Sequence, residues 1–222
     1  MGVVLLVRHG QASFGAEDYD VLSETGWEQG RLLGTWLAER GVVPTSVVQG
    51  GMRRHRETAE AMVAAAGWTV DVETDPGWDE FDHLAVVAAY SSAGADGLDR
   101  REFQQVFVQA TERWTAGQDD EEYAETWAGF GSRVGDAMAR ACAAAGPGGT
   151  VVVVSSGGPI AAACASLVDP DGDPSTHARI WGRLNTVLVN ASMTRVVVGS
   201  TGARLLTLNE HPHLEGESLT YR

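Results

Sequence analysis

The chain has 222 residues, of which 44% are hydrophobic, 7% aromatic and 21% charged, a composition that suits a globular protein with a core of ordinary size. Its formal net charge is -14, from 30 Asp and Glu against 16 basic residues, all of them Arg. That charge disfavours general binding to nucleic acid or to an anionic membrane. It leaves open a small anionic ligand held by a local Arg cluster.

Residues 3–7 are all apolar and are followed at once by Arg8, His9 and Gly10. A short apolar run without alternation predicts a strand buried on both faces, as in a parallel sheet covered by helices. A polar loop over 11–22 follows. Ser23 then reads as the N-cap of a helix carrying Trp27, Leu32, Leu33, Trp36 and Leu37, with Gly41 past its end. Residues 42–49 predict a second strand, with Gly50-Gly51 as its turn. A helix over 52–66 stops at Gly67, and 70–73 predicts a short strand ended by Pro76-Gly77.

Phe103, Val106, Phe107, Ala110 and Trp114 mark an amphipathic helix. The acidic run 119–122 reads as a solvated loop. Trp127 through Cys142 predicts a longer helix ending near Gly146. Residues 150–154 are a second buried strand, followed by Ser155-Ser156-Gly157-Gly158-Pro159. Pro159 suits the first turn of a helix over 160–168, which Asp169-Pro170 ends. Alternating runs around 186–198 and 204–208, with glycines between them, predict a closing hairpin. The order predicts a three-layer α/β/α sandwich around a mostly parallel sheet, one domain over 1–222, with a lid or insertion at about 78–129.

Two cysteines, Cys142 and Cys164, lie in Ala-rich stretches and read as small hydrophobes, not as a disulfide pair or zinc site. No run approaches a membrane span and no leader pattern opens the sequence, so a reduced, cytoplasmic setting is expected.

Chemistry concentrates at the first strand's end, where ligands of open α/β sheets bind. Two readings of Arg8-His9-Gly10 are open on these residues alone. One is an anion site. The other is an Arg paired with a nearby Asp, beside a His bonded to backbone. A second cluster, Met52-Arg53-Arg54-His55-Arg56-Glu57-Thr58-Ala59, opens a helix, where N–H groups and the dipole favour an anion and Arg forks match phosphate oxygens. Arg53 or Arg56 is expected to be solvated or paired with Glu57 or Glu60.

Taken together these pieces resemble the histidine phosphatase superfamily, the phosphoglycerate mutase-like family. Leu6 through Ala12 is similar to its opening motif. Leu22-Ser23 with Gly26, Gln29, Leu33 and Gly34 is similar to its first helix. An Arg four residues before Thr58-Ala59 selects Arg54. Trp78-Asp79-Glu80-Phe81-Asp82 resembles the acidic segment and selects Glu80, a surface carboxylate being the plainer alternative. Asn190 to Thr194 and Leu208 to Leu214 resemble the closing strands.

The resemblance implies that His9 is the nucleophile that accepts a phosphoryl group, with Glu80 as the acid for the leaving oxygen. The phosphate-binding set is Arg8, Arg54, Ser156, Gly157 and Gln11. No cofactor and no metal is implied. The expected partner is a small phosphorylated molecule, with no nucleic acid and no membrane. Oligomeric state is left open, a homodimer included.

One departure stands out. The family carries a second His after the second buried strand, and Ser156 occupies that position here. Losing a hydrogen bond to a charged group costs ~1.5–3 kcal/mol, roughly 10- to 100-fold in rate. His83 is the first candidate to compensate, with an ordinary surface or core His as the alternative. The leading expectation is therefore a phosphomonoesterase acting through phosphohistidine, with activity reduced by Ser156. A weak or inactive relative that binds a phosphorylated ligand is the alternative. A phosphoglycerate mutase ranks lowest, because 14–20 lacks the Asn that such mutases carry there.

Overall fold

The valine-rich runs predicted as doubly buried strands form the two central strands of the sheet. The computed structural model describes residues 1–13, 20–91 and 99–221. Strand β1 (Gly2–Arg8) leads to helix α1 (Glu24–Glu39), β2 (Ser46–Gln49), α2 (Arg53–Ala66) and β3 (Val72–Thr74). Helices α3 (His83–Tyr90), α4 (Arg100–Thr115) and α5 (Trp127–Ala145) precede β4 (Thr150–Ser155). Then come α6 (Gly157–Val168), α7 (Pro174–Asn185), β5 (Met193–Gly199) and β6 (Gly202–Glu210).

The sheet order is β3-β2-β4-β1-β5-β6. The first four are mutually parallel, β5 is antiparallel to β1, and β6 is antiparallel to β5. Leu5 and Val7 of β1, with Val152 and Val154 of β4, pack on Leu33, Leu37, Ala59 and Met62 of α1 and α2. Val4, Leu6, Val151 and Val153 face the other way, onto Phe130 and Val134 of α5 and Ile160 of α6. Alternate residues feed two cores, so both strands read as continuous apolar runs. This is the expected α/β/α sandwich, built on a mixed sheet.

Local signals explain most element ends. The Ser23 side chain accepts from Gly26 N at 3.1 Å and caps α1. Gly67, at φ 66°, ends α2 in the left-handed conformation. The buried face of α1 is Gly26, Gln29, Gly30, Leu33, Gly34 and Leu37, a small-residue stripe that brings α1 close to α2. Trp27, Leu32 and Trp36 flank that face, half-buried.

The departures from expectation have physical causes. Strand β2 spans only Ser46–Gln49, because 42–45 includes Pro44, which has no N–H to pair. The strand predicted from 186 begins at Met193, because Ala191 takes φ 55° and turns the chain beforehand. Helix α7 has its signals, Asp173 as cap, Pro174 at its opening and an amphipathic pattern, but its apolar side is short and buries only Trp181. Helix α3 is apolar on nearly every face, so it shows no helical period. The acidic run is not simply solvated, since Asp119 and Glu122 both pair with Arg113.

Within 78–129, Trp78, Phe81, Val87, Ala110 and Trp114 share the core that α5 and α6 build. Phe81 stacks on Trp114 at 4.9 Å between centroids. The lid expectation reaches over 92–98, which lie outside the described residues, as do 14–19 of the polar loop that bears on the mutase alternative. Cys164 is buried and Cys142 half-buried, and both are free thiols. Among the described residues, no helix is long and apolar enough to cross a membrane.

Candidate active site

Three parallel strands deliver their carboxyl ends to one place. Arg8 of β1 lies in register with Ser155 of β4, and Gln49 of β2 with Val154. His9 therefore emerges beside Ser155-Ser156 and Gly50, at the edge where α/β sheets bind ligands. Its backbone is clamped from both sides. His9 N donates to Ser155 O at 2.8 Å, and Ala191 N and Asn190 Nδ2 donate to His9 O at 3.2 and 3.3 Å. The left-handed Ala191 that shortens β5 is what reaches this carbonyl.

The ring of His9 is buried, with Nδ1 2.7 Å from Gly10 O. A carbonyl can only accept, so Nδ1 carries the hydrogen and Nε2 keeps its lone pair. Burial, then the charges of Arg54 and Arg8, holds His9 well below the usual imidazole range, against the opposing Gly10 bond. It is a neutral base. Gly10 N donates to Thr58 Oγ1 at 2.9 Å, and Thr58 Oγ1 donates to Arg54 O at 2.7 Å. Thr58 thus ties the His9 loop to the helix that carries Arg54.

The cations approach from separate elements. Arg8 Nη1 donates to the carbonyls of Leu188 and Tyr221, which help to orient its guanidinium. Arg54 is buried, with Nη1 2.6 Å from Asp20 Oδ1 and Nη2 3.4 Å from Ser156 Oγ. Asp20 Oδ2 also accepts from Arg53 N at 2.7 Å, so a carboxylate sits on the N-terminus of α2. Arg53 pairs with Glu57 at 2.7 Å, as expected for the Arg turned away from the site.

The three neighbouring acids divide their work. Asp82 caps α3 through Ala85 N at 2.9 Å. Asp79 accepts from Gly51 N. Glu80 lies on the N-terminus of α6, where Gly158 N donates to Oε2 at 3.1 Å, and Phe81 N donates to Oε1 at 3.2 Å. A Cβ on Gly158 would collide with that carboxyl, so this position requires glycine. Burial raises Glu80 above the usual carboxyl range, against the Gly158 N–H and the charges of Arg54 and Arg8. It therefore keeps its proton to higher pH than an exposed Glu does. Beside it lies a cavity of about 370 Å³ whose walls include Phe81, Trp114, Tyr123 and Arg133.

Ser156 is fully buried and precedes α6. Gly157 sits next to Arg8: a Cβ there would lie 3.7 Å from Arg8 Nε. The side-chain oxygen of Gln11 accepts from Ser23 Oγ at 2.9 Å, which joins Gln11 to the α1 cap. The imidazole beside Ser156 is not that of His83. His83 opens α3 with its ring edge-on to Phe107, 6.2 Å between centroids. It is His55 whose Nε2 lies 2.7 Å from Ser156 Oγ, with its ring centroid 5.8 Å from that of His9. His55 follows Arg54 on the face that α2 buries, and nothing local in the sequence marks it.

Comparison with known proteins agrees with this fold. The model of the histidine phosphatase superfamily (branch 1) matches residues 4–211. No curated protein matches significantly. A mutant phosphoserine phosphatase from Entamoeba histolytica, in complex with phosphoserine, aligns at TM-score 0.69 and 16% identity over 97% of this chain and 100% of its own. A phosphoglycerate mutase from Bacillus anthracis aligns at 0.67 and 20%, over 96% and 94%. A mycobacterial glucosyl-3-phosphoglycerate phosphatase in complex with VO3 aligns at 0.69 and 23%, over 95% and 100%.

Proposed function

The chain belongs to the histidine phosphatase superfamily, branch 1, and from that premise we propose that it is a phosphomonoesterase working through a phosphohistidine on His9. The observation that carries this reading is the convergence of His9, whose Gly10 bond leaves the lone pair on Nε2, with Arg54, Ser156 and Gly157 and with Glu80 on the N-terminus of α6; burial lowers His9 and raises Glu80. Ester cleavage needs a nucleophile and an acid whose surroundings push them in opposite directions, and a binding protein has no use for that pairing.

In the first step the Nε2 lone pair attacks phosphorus. The P–N bond forms and the P–O ester bond breaks, and Glu80 gives its proton to the departing alkoxide. Water then attacks the phosphohistidine and Glu80 takes a proton from it. The P–N bond breaks, leaving inorganic phosphate and a neutral His9. Arg8 and Arg54 neutralise the equatorial oxygens, and Ser156 with the Gly157 N–H at the start of α6 adds donors. Splitting the displacement in two lowers each barrier. The substrate's leaving group would occupy the aromatic-walled cavity beside Glu80.

A quenched reaction with radiolabelled p-nitrophenyl phosphate tests this. Acid-labile label is expected on the wild type and none on His9→Ala, together with release of inorganic phosphate. Unchanged turnover in His9→Ala refutes the mechanism. Phosphate moved between positions of a phosphoglycerate, with none released, makes the protein a mutase instead.

A further inference from the structure

A fully buried imidazole inside a phosphate pocket needs a physical reason. The ring of His55 makes one hydrogen bond among the described residues, Nε2 to Ser156 Oγ at 2.7 Å. Nδ1 is buried with no hydrogen-bond partner among them, and Asp79 Oδ1 lies 3.9 Å from it. Room for the ring depends on Gly50, where a Cβ would run into His55 Nδ1 and Asp79 Oδ1. Three elements, the β2 turn, α2 and α6, are therefore shaped around one contact.

That contact decides where the Ser156 hydrogen points. A hydroxyl has one hydrogen and two lone pairs. Arg54 Nη2, 3.4 Å away, can only donate to Oγ. If His55 Nε2 also donates, both lone pairs are filled and the hydrogen is turned into the pocket. If Nε2 accepts instead, the hydrogen is lost to His55 and Ser156 offers an anion nothing. We propose that His55 is the positioning residue for Ser156: its Nε2–H donates to Oγ and directs the Ser156 hydroxyl at a phosphate oxygen. In this way a two-residue relay from α2 and α6 does what one histidine after the second buried strand, β4 here, does elsewhere in the family. Burial lowers His55 to about 3, so the ring is neutral and a single tautomer serves. Donors on Oγ also polarise its O–H and strengthen the bond it gives. The proposal rests on the phosphate-binding part of the proposed function, not on turnover.

The test uses Ser156→Ala, His55→Ala, His55→Gln, Ser156→His and the swap His55→Ala/Ser156→His. The readouts are calorimetric Kd for inorganic phosphate, kcat/KM for p-nitrophenyl phosphate, and Tm. Ser156→Ala and His55→Ala should each weaken phosphate binding about 10- to 100-fold, the value of one hydrogen bond to a charged group. The two alanines combined should be no worse than the larger single loss, because they break one relay. Ser156→His alone should lose activity, since two imidazoles contend for one space. The swap should recover at least about tenfold over Ser156→His. His55→Gln, which keeps an N–H donor, should bind phosphate more tightly than His55→Ala at equal Tm. Additive alanine losses, a folded swap no better than Ser156→His, or equal losses in His55→Gln and His55→Ala overturn the relay. If no form turns over but phosphate affinity follows this pattern, the phosphatase reading fails and the relay stands. If turnover proceeds and His55→Ala binds phosphate like the wild type, the relay fails and that reading stands.

Discussion

Gly158→Ala is a sharp probe of the site, because it changes no charge and removes no functional side chain. The new Cβ would lie 3.0 Å from Glu80 Cδ and 3.2 Å from Phe81 Cδ1, and would overlap Glu80 Oε1. Something must yield. Phe81 cannot move easily, being stacked on Trp114 and edge-on to Phe130 and Trp181. The backbone of Gly158 is held by Trp181 Nε1, which donates to its carbonyl at 3.0 Å. The Glu80 carboxyl is what gives way, losing its 3.1 Å bond from Gly158 N. Overpacking of this kind costs roughly 1–3 kcal/mol, a Tm drop of several degrees in a chain this long. Loss of a positioned general acid costs about 10²- to 10⁴-fold. The assay compares p-nitrophenyl phosphate, whose leaving group needs no proton, with glycerol phosphate, whose leaving group does. The expected outcome is a fall of at least about 100-fold for the alkyl ester and less than about tenfold for the aryl ester. Equal falls for both, or unchanged alkyl turnover, would refute the assignment of Glu80.

Rate should depend on pH in a related way. Turnover of an alkyl ester falls at low pH as His9 takes a proton, and at higher pH as Glu80 loses one. The lowered His9 sets the acid arm below the usual imidazole range, and the raised Glu80 sets the other arm above the usual carboxyl range. Glu80→Gln should abolish the alkaline arm in a pH–rate profile; an arm that persists belongs to another group. Stability should fall on acidification through His55. The unfolded chain takes up its proton below about 6.5 and the folded one only near 3, so the contribution is full above 6.5 and lost progressively below it. By about pH 5 this amounts to about 2 kcal/mol. The raised Asp79 and Glu80 act in the opposite sense and cancel when wild type is compared with His55→Gln, whose Tm should depend less steeply on pH. Asp20→Asn should tighten inorganic phosphate binding about two- to fivefold, a part-exposed pair with Arg54 being worth little more. Weaker binding in calorimetry would show that Asp20 orders Arg54 instead of competing for it.

The layers of this protein were legible because β1 and β4 announce themselves: a short β-branched apolar run with no alternation fits poorly anywhere except between two helical layers. Arg8 and His9 stood out through their setting at the end of the first strand, whereas Arg54 and Glu80 were selected by the resemblance of their segments to those of the family. His55 was not, because nothing local separates it from Arg53 or Arg56. Its meaning comes from Ser156, 101 residues away, and from the gap left by Gly50. The same holds for Thr58, whose hydroxyl joins two segments 48 residues apart. Helices α3 and α7 were hidden for opposite reasons, one apolar on nearly all sides and the other burying a single tryptophan.

The carbonyl of Tyr221 that receives Arg8 closes a contact across 213 residues. Its neighbour Thr220 is bonded to Asn190 and Gln29, so the same segment also braces the clamp on His9. In synthesis, then, those 213 residues separate Arg8 from the carbonyl that receives it. At about 5–20 residues per second, roughly ten to forty seconds separate the two. Through that interval Arg8 lacks one of the carbonyls that orient it in the folded chain, and the clamp on His9 lacks the brace that Thr220 gives to Asn190.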